Sequence, residues 1–193
     1  GSVSSPDQRV RLSASQGIAA PGSIRAGHLV IEARGAGRLD SPRNRVDVLS
    51  GDVQGPLTFF DASALAIHPD PTHPFGLRSN GSIAIKALDS LLVDGSILAP
   101  SSDVVLDAPT VVESTGGFIH SAGLLVQASE RATLKSRANK VAVLAASTSG
   151  AFTFRNDRDP LTIGAVAGAS GIHTQGGAVL IQNDGVVNVA API

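Results

Sequence analysis

The stretch Gly22-Ser23-Ile24 through His28-Leu29-Val30-Ile31-Glu32-Ala33 is matched, 95 residues later, by Gly117-Phe118-Ile119 through Gly123-Leu124-Leu125-Val126-Gln127-Ala128. Leu39 then falls on Leu134 and Ser41 on Ser136. Without a gap, Asn44-Arg45-Val46-Asp47-Val48-Leu49 meets Asn139-Lys140-Val141-Ala142-Val143-Leu144, and Gly55-Pro56-Leu57-Thr58-Phe59 meets Gly150-Ala151-Phe152-Thr153-Phe154. Apolar positions are kept while the residues between them change, the mark of a repeat whose interior is constrained and whose surface is free. After a shift of one residue near Pro160 the register recovers, with Gly76, Gly81, Ile83 and Ile85 meeting Gly171, Gly176, Ala178 and Leu180.

A shorter period lies inside the long one. Following one apolar rung gives Ile24, Val46, Ile67, Ile97, Ile119, Val141, Ile163 and Ile193, at spacings of 22, 21, 30, 22, 22, 22 and 30. The spacing predicts coils of about 20 residues, with Ile24, Val46 and Ile67 in one interior file. Each 30-residue step is either one coil with an excursion or two short coils. In the first step the prolines of His68-Pro69-Asp70-Pro71-Thr72-His73-Pro74-Phe75 cannot donate ladder hydrogen bonds, so 68–75 is expected to be a protruding loop.

The coils should be β. Short alternations such as Ser82-Ile83-Ala84-Ile85-Lys86-Ala87 and Leu57-Thr58-Phe59 are bounded by Gly, Asn, Asp, Ser and Pro, which is the period-2 strand signal with turn punctuation. The best helical window, Leu124 to Leu134, meets no cap glycine before Gly150. One coil alone would leave an unpaired edge and a naked apolar face, and stacking supplies both partners. About nine coils at the ~4.8 Å inter-strand spacing would make a rod roughly 45 Å long. Glycines 81, 95, 117 and 176 are expected at positive-φ corners between faces. The predicted fold is therefore all-β, a parallel β-helix (β-solenoid) with coils of about 20 residues.

Composition agrees and excludes several classes. With 193 residues, 42% hydrophobic and 16% charged, the chain can bury a sizeable core and is not disordered. It has 6 Phe but no Trp, Tyr, Met or Cys, so aliphatic side chains must fill a thin, layered core and no thiol chemistry is open to it. A net charge of -1, from 15 basic and 16 acidic residues scattered along the chain, offers no footprint for nucleic acid. The longest apolar runs, such as Val141 to Ala146, are far short of the ~20 residues of a membrane-spanning helix, so membrane insertion is not expected. Gly1 and Ser2 read as a cloning remnant at a cut into something longer. Residues 3–193 then form a single solenoid segment with long repeats over about 22–93 and 117–188 and a Pro-rich loop at 68–75.

The repeat can be written as Gly-x-Ile, an apolar triplet, a polar residue and Ala, then Asn-x-Val-x-Val-Leu, then Gly-x-Leu/Phe-Thr-Phe. From about Gly22 to Val189 this resembles the repeat region of filamentous-haemagglutinin-like exoproteins, the large adhesins of bacterial two-partner secretion. The resemblance implies a right-handed winding, a secreted or cell-surface location and a secretion partner in the outer membrane. That family's secretion domain carries Asn-Pro-Asn-Gly-like motifs, which are missing here, so the resemblance implies a downstream fibre segment. The expected function is a structural or adhesive stalk, not an enzyme, with host or surface glycans or matrix proteins as partners. A polysaccharide-processing β-helix enzyme and a passive spacer are the alternatives.

Candidate contact residues are few. His68, Asp70 and His73, with Arg78 just beyond the loop, form the most site-like stretch. Two imidazoles and a carboxylate are suited to a transition metal, but a closed zinc site wants four ligands and no second cluster is evident, so a stiff solvated loop is expected and neither metal nor cofactor. His28, His120 and His173 stand alone in sequence and read as surface residues. Arg34, Arg38, Arg43 and Arg45 are suited to acidic glycans, but Asp40 and Asp47 interrupt them. Among the carboxylates, Asp47 maps to Ala142 and Asp52 to Ser147, which weakens a catalytic reading, while Asp103 with Asp107 and Asp157 with Asp159 need a fold to show whether they converge. No nucleophile elbow, phosphate loop or calcium repeat is found.

Overall fold

The computed structural model describes residues 2–193; Gly1 lies outside them. They form a β-solenoid of about 8 turns of about 20 residues, all-β and without a helix, so no helix is long and apolar enough to cross a membrane. The window from Leu124 to Leu134 is strand on both sides of one turn.

Parallel pairing runs coil to coil. Strand β1 (Val3–Ala14) pairs with β3 (Ile24–Ala33) and β3 with β5 (Arg45–Val53). In a second column β2 (Ile18–Ala19) pairs with β4 (Gly37–Leu39), β4 with β6 (Leu57–Asp61), and β6 with β9 (Ile83–Ala87). In the later coils β11 (Ser96–Asp107), β13 (Phe118–Ala128) and β15 (Lys140–Thr148) form one ladder. Beside it run β10 (Ser90–Val93), β12 (Thr110–Glu113), β14 (Arg131–Leu134), β16 (Phe152–Asn156) and β21 (Val179–Asn183). Alternate side chains of every ladder point inward, so Leu, Ile, Val, Ala and Phe59, Phe152 and Phe154 make one continuous core.

The two long steps are single coils with excursions. Leu57 stands under Ile83 and Phe152 under Val179, steps of 26 and 27 residues. In the first, β7 (Leu65–Ile67) continues Val48 and Leu49, β8 (Gly76–Ser79) continues Gly51 to Val53, and 68–75 leaves the stack between them. In the second, β17 (Leu161–Ile163) and β20 (Ile172–Thr174) divide β15 in the same way around an antiparallel hairpin of β18 (Ala165–Val166) and β19 (Ala169–Ser170).

The rung read from sequence is not one file. Ile24, Val46 and Ile67 are all interior, but Val46 stands on Ala26 and Ile67 on Leu49. Ile97 does stand on Ile119, Val141 stands on Ser121, and Ile193 is exposed. Residues two apart on a strand share a face, so choosing the largest aliphatic of each coil keeps the face but loses the level. For the same reason Ile83 and Ile85 match Val179 and Ile181, because both pairs sit over β6 and β16, and not Ala178 and Leu180.

The long repeat also turns. The ladder of β6 and β9 continues into Val104 to Asp107 of β11, and so into β13 and β15. Yet β13 and β15 match β3 and β5 in sequence, not β6. The second long repeat therefore re-enters the stack one column later than the first.

Of the four corner glycines expected from sequence, only Gly176 has positive φ. A Cβ on Gly81, Gly95 or Gly117 would meet Pro56 N at 2.6 Å, Pro69 Cδ at 2.7 Å or Val93 O at 2.0 Å, so close approach of adjacent coils is what requires glycine there. Gly51 has both demands, with φ at 151° and a would-be Cβ 2.0 Å from Ile31 O. Gly51→Ala should lower stability by about 2 kcal/mol. The matching residue of the second repeat is already Ala146. Ala146→Gly should cost no more than about 1 kcal/mol, and equal losses in denaturant melts of the two variants would refute the argument.

Candidate functional site

The loop 68–75 leaves the ladder, as expected, but does not stand free of the coils. It folds back over the outer face of β1, β3 and β5, because its one carboxylate finds partners there. The Asp70 side chain is 1% exposed, and Arg9 Nη2 of β1 donates to its Oδ1 at 2.8 Å. Thr72 donates to the same oxygen from N at 2.8 Å and from Oγ1 at 2.5 Å, the geometry of an Asx turn. The backbones of Asp70 and His73 exchange hydrogen bonds of 3.0 and 2.8 Å. The loop is thus an ordered strap with one buried anion, while most of its other residues face solvent.

Two residues from β3 complete the cluster. His28 Nε2 lies 2.9 Å from Ser50 Oγ of β5, and its Nδ1 lies 3.9 Å from Asp70 Oδ2. Glu32 accepts from Arg11 Nη2 of β1 at 2.5 Å and lies 3.2 Å from His73 Nε2. Arg9, Arg11, His28 and Glu32 escape a sequence reading because they precede the loop by two or three coils. The only signal would have been the register of β1, β3 and β5. His28 is therefore no isolated surface residue.

Burial decides the direction at His28 but not at Asp70. It pushes the His28 pKa down, Asp70 opposing it and Arg9, His68 and His73 adding to it. Burial acts to raise Asp70, but hydrogen bonds from Thr72 and the charges of Arg9 and His28 outweigh it and hold the carboxyl below its ordinary value.

The candidates part company in the structure. Asp70 and His73 belong to the cluster, whereas His68 turns away, its Nδ1 2.7 Å from Asp94 Oδ2. Ser114 Oγ also donates to Asp94, and these two hydrogen bonds hold that carboxyl low. Arg78 is exposed on β8, in register between Asp52 and Leu98. No group of three or more His, Cys, Asp or Glu among the described residues is arranged to hold a metal ion.

Beside the strap runs a groove of about 530 Å³ lined by Ser13, Glu32, Arg34, Asp52, Gln54 and His73. A smaller recess of about 180 Å³, shared by Asp52, His73, Phe75 and Arg78, extends it. The groove follows the register Ser13, Glu32, Asp52, Arg78 across four successive coils. It ends at Phe75, which is 57% exposed. Glu32 and Asp52 are ladder neighbours, a juxtaposition that sequence spacing did not show.

Other charged candidates are distributed. Arg38 pairs with Asp40 at 2.7 Å, Arg45 stands beside Arg25, and Arg34 alone of its group reaches the groove. Asp107 pairs with Lys86 at 2.6 Å and Asp159 with Lys140 at 2.9 Å. His173 bonds to Ser170 O at 2.9 Å.

Compared with models of known protein families, with curated proteins and with solved structures, the chain gives no match.

Proposed function

We propose that the chain is a structural and adhesive segment of a large secreted bacterial surface protein, a rod that supports attachment to host cells or other surfaces. Its localisation and its membership of a two-partner secretion system belong to this proposal and rest on the resemblance of its repeats. The observation that carries the reading is the use of interior polar groups. Asn44, Asn139, Asp61 and Asn156 are fully buried, and each hydrogen-bonds the backbone of a neighbouring coil. A sequence that repeats such bridges at a fixed offset encodes stacking first, which suits a stalk. The groove between Ser13 and Arg78 is then the natural contact surface, with host or surface glycans or matrix proteins as its class of partner.

A polysaccharide-processing activity has one observation in its favour, the ladder pair Glu32 and Asp52 in that groove. One experiment separates the readings. The protein is passed over immobilised neutral and acidic polysaccharides and matrix proteins, while the eluates are assayed for new reducing ends. Adhesion predicts retention that Arg78→Ala weakens by about tenfold, the loss of one charged hydrogen bond, with no cleavage. Cleavage abolished by Asp52→Asn would establish the enzyme instead, and a protein retained on nothing is a spacer.

A further inference from the structure

The two excursions, 68–75 and 164–171, stand at corresponding points of the long repeats and are fastened in opposite ways. Beneath the second, the outward-facing Leu125 and Ala145 are buried against Val166, with Val105, Val143 and Ala169 around them. The matching positions beneath the first are Val30 and Ser50, which also face outward and are also fully buried. There the excursion is fastened not by a valine but by Asp70, tied to Arg9, Thr72 and His28, the last of which also bonds Ser50. An apolar clasp is indifferent to protons, whereas an ionic one is not.

We propose that segment 68–75 is an acid-released latch, clamped over Val30 and Ser50 at neutral pH and lifted when His28 takes up a proton, while the hairpin 164–171 stays closed. The charges around His28 support this. Arg9 and Arg11 face it from β1, Glu32 from its own strand, and Asp70 and His73 from the loop, with Asp52 of β5 beside His73; His68, turned to Asp94, acts on it only through its charge. The two arginines already pair with Asp70 and Glu32. A proton on His28 thus adds a buried cation whose nearest carboxylate is shared with Arg9 and Thr72.

The direction follows from linkage. Closed, the latch keeps the His28 pKa below 6.5; open, the ring returns to its ordinary value. Closure is therefore fully favoured above that ordinary value and is weakened progressively as pH falls toward the lowered one. Asp70, held low when closed, pulls the same way in stronger acid, below its ordinary 3.8.

Hydrogen exchange followed by mass spectrometry at pH 7.5 and 5.0, corrected for intrinsic rates, tests the idea on the unmodified chain. Protection of a peptide spanning 68–76 should fall by up to about 30-fold, the limit set by an open-state pKa near 6.5, and that of 164–172 should hold. His28→Gln, which can still bond Ser50, should make the first peptide insensitive to pH over this range. Equal loss in both excursions, or an unchanged loss in the variant, would overturn the proposal. If the variant does not fold, a ring titration of His28 by NMR in the native chain decides. A midpoint below 6.5 that coincides with the loss of protection supports the latch, and a midpoint at or above 6.5 refutes it.

Discussion

Asn44→Ala is expected to cost about 4 kcal/mol, a large share of the stability a domain ordinarily has. The side chain is fully buried and touches three coils. Its Oδ1 accepts from Ile24 N at 2.9 Å, and its Nδ2 donates to Leu39 O at 2.9 Å and Phe60 O at 3.0 Å. Alanine leaves one donor and two acceptors without their side-chain partner in the interior, each worth roughly 1–3 kcal/mol. Asn139 repeats the arrangement from Ile119 N at 2.7 Å to Arg155 O at 3.0 Å, so Asn139→Ala should behave alike. Because coils touch only their neighbours, the first coils should fray from the rest before the stack melts. Urea denaturation read by far-ultraviolet circular dichroism checks this, and a loss under about 1 kcal/mol would show that the bridge is ornamental.

The second large effect concerns Glu113. Its Oε2 accepts from Ser136 N at 2.6 Å and Asn139 Nδ2 at 3.0 Å, while its Oε1 is buried without a partner. Burial, only partly offset by these bonds and one from Lys135 N, pushes its pKa up from 4.5 to about 7. The folded state thus holds a proton that the unfolded chain releases near pH 4.5. The resulting stability is complete below that value and is lost as pH rises to about 7, in all about 3 kcal/mol. Glu113→Gln keeps a neutral group of the same shape, its oxygen accepting both bonds. Relative to the parent, the variant should gain about 3 kcal/mol between pH 4.5 and 8. Paired denaturant melts at the two pH values measure that change, and a difference independent of pH would contradict a buried neutral carboxyl.

The fold was legible because its interior is repetitive. Ile24 with Ile119, Asn44 with Asn139 and Phe59 with Phe154 recur at one offset, since each side chain fills the same place in a coil. The level of each residue was not legible. Ala26, not Ile24, lies against Val46, and a small residue in that place gives no signal to a search for large ones. The site was half legible for a related reason. His68-Pro69-Asp70-Pro71-Thr72-His73 stands out as a string, yet what fixes its conformation is Arg9 and His28, brought near only by the coil register. His68, the first residue of that string, proved to serve a different carboxylate, Asp94.

The shift of one column between the two long repeats bears on how such a rod meets a surface. Decorations encoded at one place in the repeat do not line up along the shaft; they wind around it like the steps of a spiral stair. A flat surface pressed against the rod touches the strap at 68–75 and not its counterpart at 164–171. Successive repeats can thus diverge in chemistry, one ionic and one greasy, without competing for the same contact.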